Sequence, residues 1–548
     1  MIASDRIRVM LLKPWQPTKF TACIPPLGLL QLVSTIRERL GDRAEIRFID
    51  CKLESKTWRE IGQDISEFRP HIIGLSSLNW EADESARIAR VARQIDQDVI
   101  LALGGPYAHR NQHTIAADGL FDWIFDGPAD WAFPEAVERQ YNAEEDLSDI
   151  FGLTWRQGDG TYMTNPETAD TGIVDDLNAI PLAAWDLIDF ERYAKRVNFN
   201  YNLRGKYYAP IFTSRGCPFL CTYCHDIFGK KFIGRSVENV MEEIHLLHDK
   251  YGVDEFQIVD DIFNMNSPRM KAICREIAKL DVHITFPNGL RADILDEEGV
   301  QCLADAGMYE CAVAIETVTP RLQEMIKKRL KLNRTMQAVK WMTERDILVK
   351  GFFMIGFPTE TLDEIKATID FACKSDLTFA GFFHVVPQPG TPIHEWAKKE
   401  NPAALERVLE CDQYAHQSWY NLAYGINIGF YQRWAFFRFY LLSPRRVWRL
   451  FSNMPKRELL RYFYVWLNVV FTRGGKVLDE KEPTMAPESI IELSGAVKQN
   501  EGQSPPALAV TTSPKQEESS CCSSEESNGS CDSSVDVKVV QIEPSKAL

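Results

Sequence analysis

Short apolar runs alternate with amphipathic stretches along most of the chain, and this alternation predicts its elements. Ile7–Leu12 (IRVMLL) is an apolar run of strand length. Leu29–Leu40 follows with helical periodicity, after the extended Pro25–Pro26 and before Gly41, which suits a helix C-terminus. The pattern continues through a strand over Glu45–Asp50, a helix near Trp58–Phe68, a strand over Ile72–Ser77, a helix over Ala86–Gln94 and a strand over Val99–Leu103. Such alternation predicts an α/β domain over residues 1–145, a parallel sheet with helices on both faces.

Residues 146–205 are polar and glycine-bearing, with a hairpin-like WRQGDGTYM, and read as a bridge between domains. From 206 to 410 the alternation resumes. Strands are expected at 209–213, 255–259, 283–287, 312–315, 348–354 and 378–386, with helices between them. This predicts a full or partial (β/α) barrel, whose functional residues belong at the carboxyl ends of its strands. Residues 411–476 change character: NIGFYQRWAFFRFYLL and LLRYFYVWLNVVF are aromatic-rich, interleaved with arginines and separated by Pro444. Two readings stand: a helical cap over the barrel mouth with snorkelling arginines, or the same cap also touching a membrane through 428–471. From about Val477 the chain is acidic, serine-rich and of low complexity, which predicts disorder.

Composition narrows this picture. The net charge of −15 argues against a nucleic-acid partner. Thirteen cysteines are scattered rather than framed, which points to the reducing cytoplasm. No N-terminal signal peptide is expected, and no apolar stretch reaches the roughly 20 residues of a spanning helix. Cys274, Cys302, Cys311 and Cys373 read as small buried apolar residues, and Cys521, Cys522 and Cys531 as tail thiols without a specific role.

The chemistry concentrates in TSRGCPFLCTYCHD, residues 213–226, where Cys217, Cys221 and Cys224 are spaced C-x3-C-x2-C. Three thiolates on one loop suit a soft metal centre. Zinc would want a fourth ligand, which His225 could supply, and usually a second knuckle, which is missing. A four-iron cluster normally takes four cysteines, so three leave one iron open. The spacing, with Tyr223 before the last cysteine, resembles the radical S-adenosylmethionine (SAM) superfamily. There the open iron of a [4Fe-4S] cluster chelates S-adenosyl-L-methionine. The resemblance implies that Asp260 and Asp261 hold the amino end of that molecule. It likewise places Arg291 and Glu316 near its carboxylate and ribose, and Gly356 in GFFMIGFPTET beside the adenine.

The N-terminal domain resembles the Rossmann-like cobalamin-binding domain, whose pattern runs D-x-H-x-x-G, then S-x-L, then GG. Ser76-Ser77-Leu78 fits the second element and Gly104-Gly105 the third, while Asp50 is followed by Cys51-Lys52 with no histidine. The resemblance then implies cobalamin bound without a protein imidazole. Together the two domains resemble cobalamin-binding radical SAM proteins that include tetrapyrrole cyclases, hopanoid methylases and C-methyltransferases. The implied activity is methylation of an unactivated carbon on a hydrophobic isoprenoid, lipid or secondary metabolite, with a flavodoxin or ferredoxin as electron donor. Cyclisation or rearrangement of a tetrapyrrole or lipid, and a non-catalytic corrin- or metal-binding regulator, are the alternatives.

Overall fold

The computed structural model describes residues 6–15, 22–166, 168–196, 198, 203–224, 226–409, 418–444, 446, 448 and 452. His225, the second aromatic run at 459–471 and the tail cysteines lie outside the described residues.

The N-terminal sheet has seven strands: β1 (Ile7–Lys13), β2 (Ala44–Asp50), β3 (Ile72–Ser76), β4 (Ile100–Gly104), β5 (Trp123–Phe125), β6 (Leu153–Arg156) and β7 (Tyr162–Thr164). Their order is β2-β1-β3-β4-β5-β6-β7. The first five are parallel, and successive side chains point to opposite faces. Met10, Leu12, Ile73 and Leu75 enter one apolar core, whereas Val9, Leu11 and Ile72 enter another. Both faces are therefore covered, as a parallel sheet requires. The hairpin read as part of a bridge is β6–β7, paired antiparallel onto this sheet. Turn residues had marked it as a connection, but its free edge is satisfied by β5.

The second sheet contains β8 (Tyr208–Ile211), β11 (Glu255–Ile258), β12 (His283–Leu290), β13 (Met308–Glu316), β14 (Leu348–Ile355) and β15 (Phe379–His384). All six are parallel, in the order β15-β14-β13-β12-β11-β8. Its end strands β15 and β8 do not pair, so it is a partial barrel. Val349, Phe353 and Ile355 pack outward with Ile365 and Ile369 of the helix Leu362–Lys374. By alternation Lys350, Phe352 and Met354 face inward, and they are half-buried. Between β8 and β11 a two-stranded stub, β9 (Ser214–Arg215) with β10 (Ile233–Gly234), brackets the cysteine loop.

The described C-terminal helices do not form a simple cap over the barrel mouth. Helix Trp419–Tyr424 reaches the turn after β14, but Ile428–Phe436 and its continuation to Leu441 run along the edge of β15. Gln432 Nε2 donates to Phe382 O at 2.7 Å, and Tyr440 Oη accepts the Ala380 N–H at 3.1 Å. Main-chain groups that an edge strand leaves unpaired are met here by side chains. Two arginines of this region are tied to protein groups rather than reaching for solvent, while Arg433 is exposed. Arg438 pairs with Asp370, and Arg446 donates to Cys373 O at 3.0 Å and Ser375 O at 2.5 Å, at the C-terminus of helix Leu362–Lys374. A cation there meets the helix's unsatisfied carbonyls. No helix among the described residues is long and apolar enough to cross a membrane.

Arg446→Met should destabilise the fold by about 2 kcal/mol, since charged hydrogen bonds to buried carbonyls are lost. It should also speed proteolysis within 418–444; unchanged protease resistance would contradict this role for Arg446.

Candidate functional site

The cysteine loop leaves the buried strand β8 through Thr213 and Ser214, and Asp260 fixes that exit. Its Oδ1 accepts the Thr213 N–H, and Oδ2 accepts the Thr213 and Ser214 hydroxyls, each at 2.6 Å. Asp260 is buried, and desolvation pushes its carboxyl above the ordinary value even against these donors. Both oxygens are thus committed within the protein rather than presented to an amine, contrary to expectation. Asp261 is exposed, and its Oδ2 accepts the Gly216 N–H at 2.9 Å. Gly216 sits at φ +80°, and a Cβ there would fall 2.1 Å from Lys231 O. Only glycine permits this crossing at the base of the loop.

Within the loop the Cys217 N–H donates to Gly229 O at 3.3 Å and the Cys224 N–H to Cys221 O at 3.3 Å. Thr222 ties it to the barrel on two sides, through Ile326 O at 3.0 Å and the Ile393 N–H at 3.1 Å. Cys217 and Cys221 are half-buried and Cys224 is exposed, whereas Cys274, Cys302 and Cys311 are buried and Cys373 half-buried. None of the nine described cysteines forms a disulfide. The crowded loop, and next the Cys221 sulfur, push the Cys224 thiol up to about 12 although its surface is open. Thiols in this state ionise when a cation arrives, so metal loading should release protons. Among the described residues no three His, Cys, Asp or Glu side chains are gathered as a single ion requires. A four-iron cluster gives each cysteine its own iron and asks for less convergence.

Two expected residues converge on this loop. Glu316 ends β13 with φ +66°, a left-handed conformation costing a non-glycine residue of order 1–3 kcal/mol. It is buried, and its Oε1 accepts Tyr223 Oη–H at 3.1 Å and Lys328 Nζ at 3.1 Å. Lys328 also donates to Tyr223 Oη at 3.0 Å, closing a three-membered ring of contacts. Arg291 follows β12, with its guanidinium 3.6 Å from the Phe219 ring centroid and Nη2 donating to Lys328 O at 2.9 Å. Phe219 and Lys328 were not anticipated. Lys328 sits in IKKRL, which reads as a solvated charge run, and Phe219 carries no polar signal.

Gly356 lies after β14 at φ +89°, but its open side is occupied. A Cβ would come within 2.6 Å of Ile428 and 3.1 Å of Tyr420, so the glycine admits the C-terminal helices rather than a ligand. Glu360 bends this turn, its Oε2 accepting the Gly356 N–H at 2.6 Å and the Phe357 N–H at 3.0 Å. Burial pushes Glu360 up to about 8.

On the N-terminal sheet β1 lies between β2 and β3, so the order in which strands are added reverses between β1 and β3. Ligands of open parallel sheets bind at such a switch point. Ser76 and Gly104 are half-exposed register partners there, and Leu78 begins the following turn. Gly105 packs at φ +89°, where a Cβ would lie 2.9 Å from Ser77 O. The Leu78 N–H donates to Glu81 Oε2 at 2.8 Å, and Lys13 pairs with the same oxygen at 2.5 Å. Asp50 does not join them. It ends the outer strand β2, accepts the Lys52 and Leu53 N–H groups at 3.0 Å, and accepts Tyr193 Oη–H at 2.7 Å. Its carboxylate caps the short helix Cys51–Glu54 and is tied to Tyr193 of the stretch that precedes the second sheet.

Comparison with known proteins now decides the assignment. Residues 211–372 match the radical SAM superfamily, and residues 18–137 match the B12 binding domain. An uncharacterized methyltransferase of Pyrococcus horikoshii is 30% identical over 380 residues, covering 69% of this chain and 79% of the relative. The chain belongs to the radical SAM methyltransferases that carry a B12-binding domain. The cytidylyl-2-hydroxyethylphosphonate methyltransferase of Streptomyces wedmorensis is 29% identical over 363 residues, covering 61% and 68% of the two chains. The radical SAM methyltransferase TsrM from Kitasatospora setae, solved with cobalamin and a [4Fe-4S] cluster, shares the fold. Its TM-score is 0.57 at 19% identity, covering 72% of this chain and 78% of TsrM. As a member of this family the chain is an enzyme. One matched segment falls within each of the two sheet domains, and the cysteine loop lies inside the second segment.

Gly216→Ala should abolish iron uptake by the loop while leaving the N-terminal sheet folded, read as iron per chain beside unchanged circular dichroism; full iron content would refute the steric requirement. For Glu360 the folded carboxyl titrates near 8 and the unfolded one near 4.5, so the folded state holds the extra proton between them. Its stabilising contribution is complete below pH 4.5 and declines as pH rises to 8, by at most about 1.4 kcal/mol per unit. Glu360→Gln keeps an acceptor for both N–H groups and should flatten that part of the stability–pH curve; an unaltered curve would show that Glu360 titrates normally.

Proposed function

We propose that this enzyme methylates an unactivated carbon of a hydrophobic small molecule, using a [4Fe-4S] cluster, S-adenosyl-L-methionine and cobalamin. The supporting observation is the trio Cys217, Cys221 and Cys224, two half-buried and one exposed, on a loop anchored to both barrel and stub. When bound, the cluster and S-adenosyl-L-methionine would supply one-electron cleavage of a sulfonium, and cobalamin a transferable methyl group. The chain's own contribution is placement. Tyr223, Glu316, Lys328 and Arg291 hold the loop's inner wall at the strand ends, where the nucleoside would lie. Lys328 and Arg291 are cations suited to a carboxylate, and Glu316 to ribose hydroxyls. Ser76, Leu78, Gly104 and Gly105 would border the corrin.

A hydrophobic substrate is favoured by the barrel's inner wall. Met354 packs with the cluster containing Tyr223, and deeper in, Phe352 and Phe383 meet edge-to-face at 5.6 Å. These half-buried side chains would lie against an apolar body, while the Lys350–Glu310 pair at 3.1 Å offers polar contact below. Reducing power would come from a flavodoxin- or ferredoxin-like donor.

Anaerobically reconstituted protein, reduced in the presence of S-adenosyl-L-methionine, should release 5′-deoxyadenosine, and the triple variant Cys217→Ala, Cys221→Ala, Cys224→Ala should release none and hold no iron. Zinc in an oxygen-free preparation, or iron spectroscopy indifferent to S-adenosyl-L-methionine, would reject the reading. Product mass separates methylation, which adds one methyl, from cyclisation.

A further inference from the structure

The cysteine loop is gripped from outside its own domain. Two residues before Cys217, Arg215 meets Asp130 with both prongs of its guanidinium, Nη1 to Oδ2 at 2.7 Å and Nη2 to Oδ1 at 3.0 Å. Both side chains are buried. Two residues after Cys224, Asp226 lies 3.2 Å from His109 Nε2 and accepts Arg110 Nη2 at 3.0 Å. The other face of the imidazole is fixed too, with Nδ1 2.7 Å from Asp126 Oδ1. Arg110 Nη1 donates to Gly390 O at 2.9 Å, and Gly390 (φ +78°) has no room for a Cβ beneath the Arg110 stem. Asp126 and Asp130 stand in the loop after β5, and His109 and Arg110 in the turn that Gly104–Gly105 begins. The B12-binding domain therefore holds the loop at both of its ends.

We propose that Asp130–Arg215 and His109–Asp226 form a two-point clasp that positions the cysteine loop from the B12-binding domain and couples the loop's geometry to the Gly104–Gly105 turn. What loop and turn hold rests on the proposed cofactors; the clasp itself rests on the protein contacts. A two-pronged Arg–carboxylate pair fixes direction as well as distance. Anchors flanking all three cysteines restrict how far their sulfurs can spread. A ligand that stiffens the turn then stiffens the loop, and by linkage the reverse holds to the same degree. His109, Asp130, Arg215 and Asp226 are positioning residues, because they act through the loop.

The test uses the full chain, reconstituted with iron and sulfide without oxygen, and reads the rate at which a ferrous chelator strips iron. In corrin-free protein Asp130→Asn and His109→Gln should each speed iron loss about ten-fold or more, the scale for residues that orient metal ligands. Ile61→Ala, a cavity in the outer layer of the N-terminal domain, controls for lost stability and should leave the rate near wild type. Wild-type rates in both clasp variants, or equal acceleration in Ile61→Ala, overturn the clasp. Adding hydroxocobalamin should slow iron loss in the wild type and not in the variants; slowing that persists in both variants overturns the coupling. Uptake of hydroxocobalamin is followed separately by its visible absorbance. Its absence would count against the proposed corrin, while the corrin-free comparison still decides the clasp.

Discussion

A loop that must keep three sulfurs accessible cannot be held by an apolar core, because a core would cover them. This constraint shapes everything around residues 214–234. Ordering each backbone residue costs about 1–2 kcal/mol, so a loop of this length needs many compensating contacts. The contacts are polar and peripheral: Asp260 on the exit from β8, Asp261 on the Gly216 N–H, Glu316 and Lys328 on Tyr223. Apolar packing enters at the back, through Tyr223 beside Phe357, Phe228 against Phe212 and Phe219 beneath Arg291. The thiols are left on the remaining face.

Charge pairs suit such a task because they fix geometry more than they add stability. A buried ion pair recovers little beyond its own desolvation cost, but removing one partner leaves an uncompensated charge at about 3–5 kcal/mol. Arg215 with Asp130 is a pair of this kind, and it joins two sheets whose carboxyl ends each carry one set of candidate cofactor residues. Apolar packing also joins the domains, with Cys23, Leu30 and Leu53 in the core cluster of the second sheet, but it gives less control over direction. The strain at Glu316 fits the same logic, since a left-handed turn at the end of β13 aims its carboxylate at Lys328 and Tyr223.

The strands and their alternation were legible because apolar runs of fixed length bury on both faces of parallel sheets, and Val9, Leu11, Ile73 and Val349 behave as such runs demand. The cysteine spacing was equally legible, since a metal loop is local. Pairing at a distance was not. Asp50 has the composition of a ligand-side residue but caps its own helix, and Gly356 has a glycine's openness but faces Tyr420. Asp130 and His109 lie about a hundred residues before the loop they grip, in stretches whose local pattern shows ordinary turns. The 418–446 helices were legible as helices, but which surface they cover depends on an unpaired strand edge that no local pattern announces.

That edge bears on how the barrel can stay open. A six-stranded parallel sheet whose ends do not meet exposes main-chain donors and acceptors along both outer strands. Closing the barrel would satisfy them but narrow its interior. Here Gln432 and Tyr440 meet β15 with side chains, and Arg446 fastens their helix to carbonyls at the end of the neighbouring helix. Main-chain groups of Ala380 and Phe382 are thus met without an added strand, and the inward row Lys350, Phe352 and Met354 stays half-buried. The helix Ile428–Phe436 lies along that edge from the side, while helix Trp419–Tyr424 presses on the turn after β14 from the strand-end side. An open sheet, a sealed edge and an externally gripped loop are three consequences of one requirement, that a bulky set of ligands meet the strand ends without the protein collapsing onto the space they need.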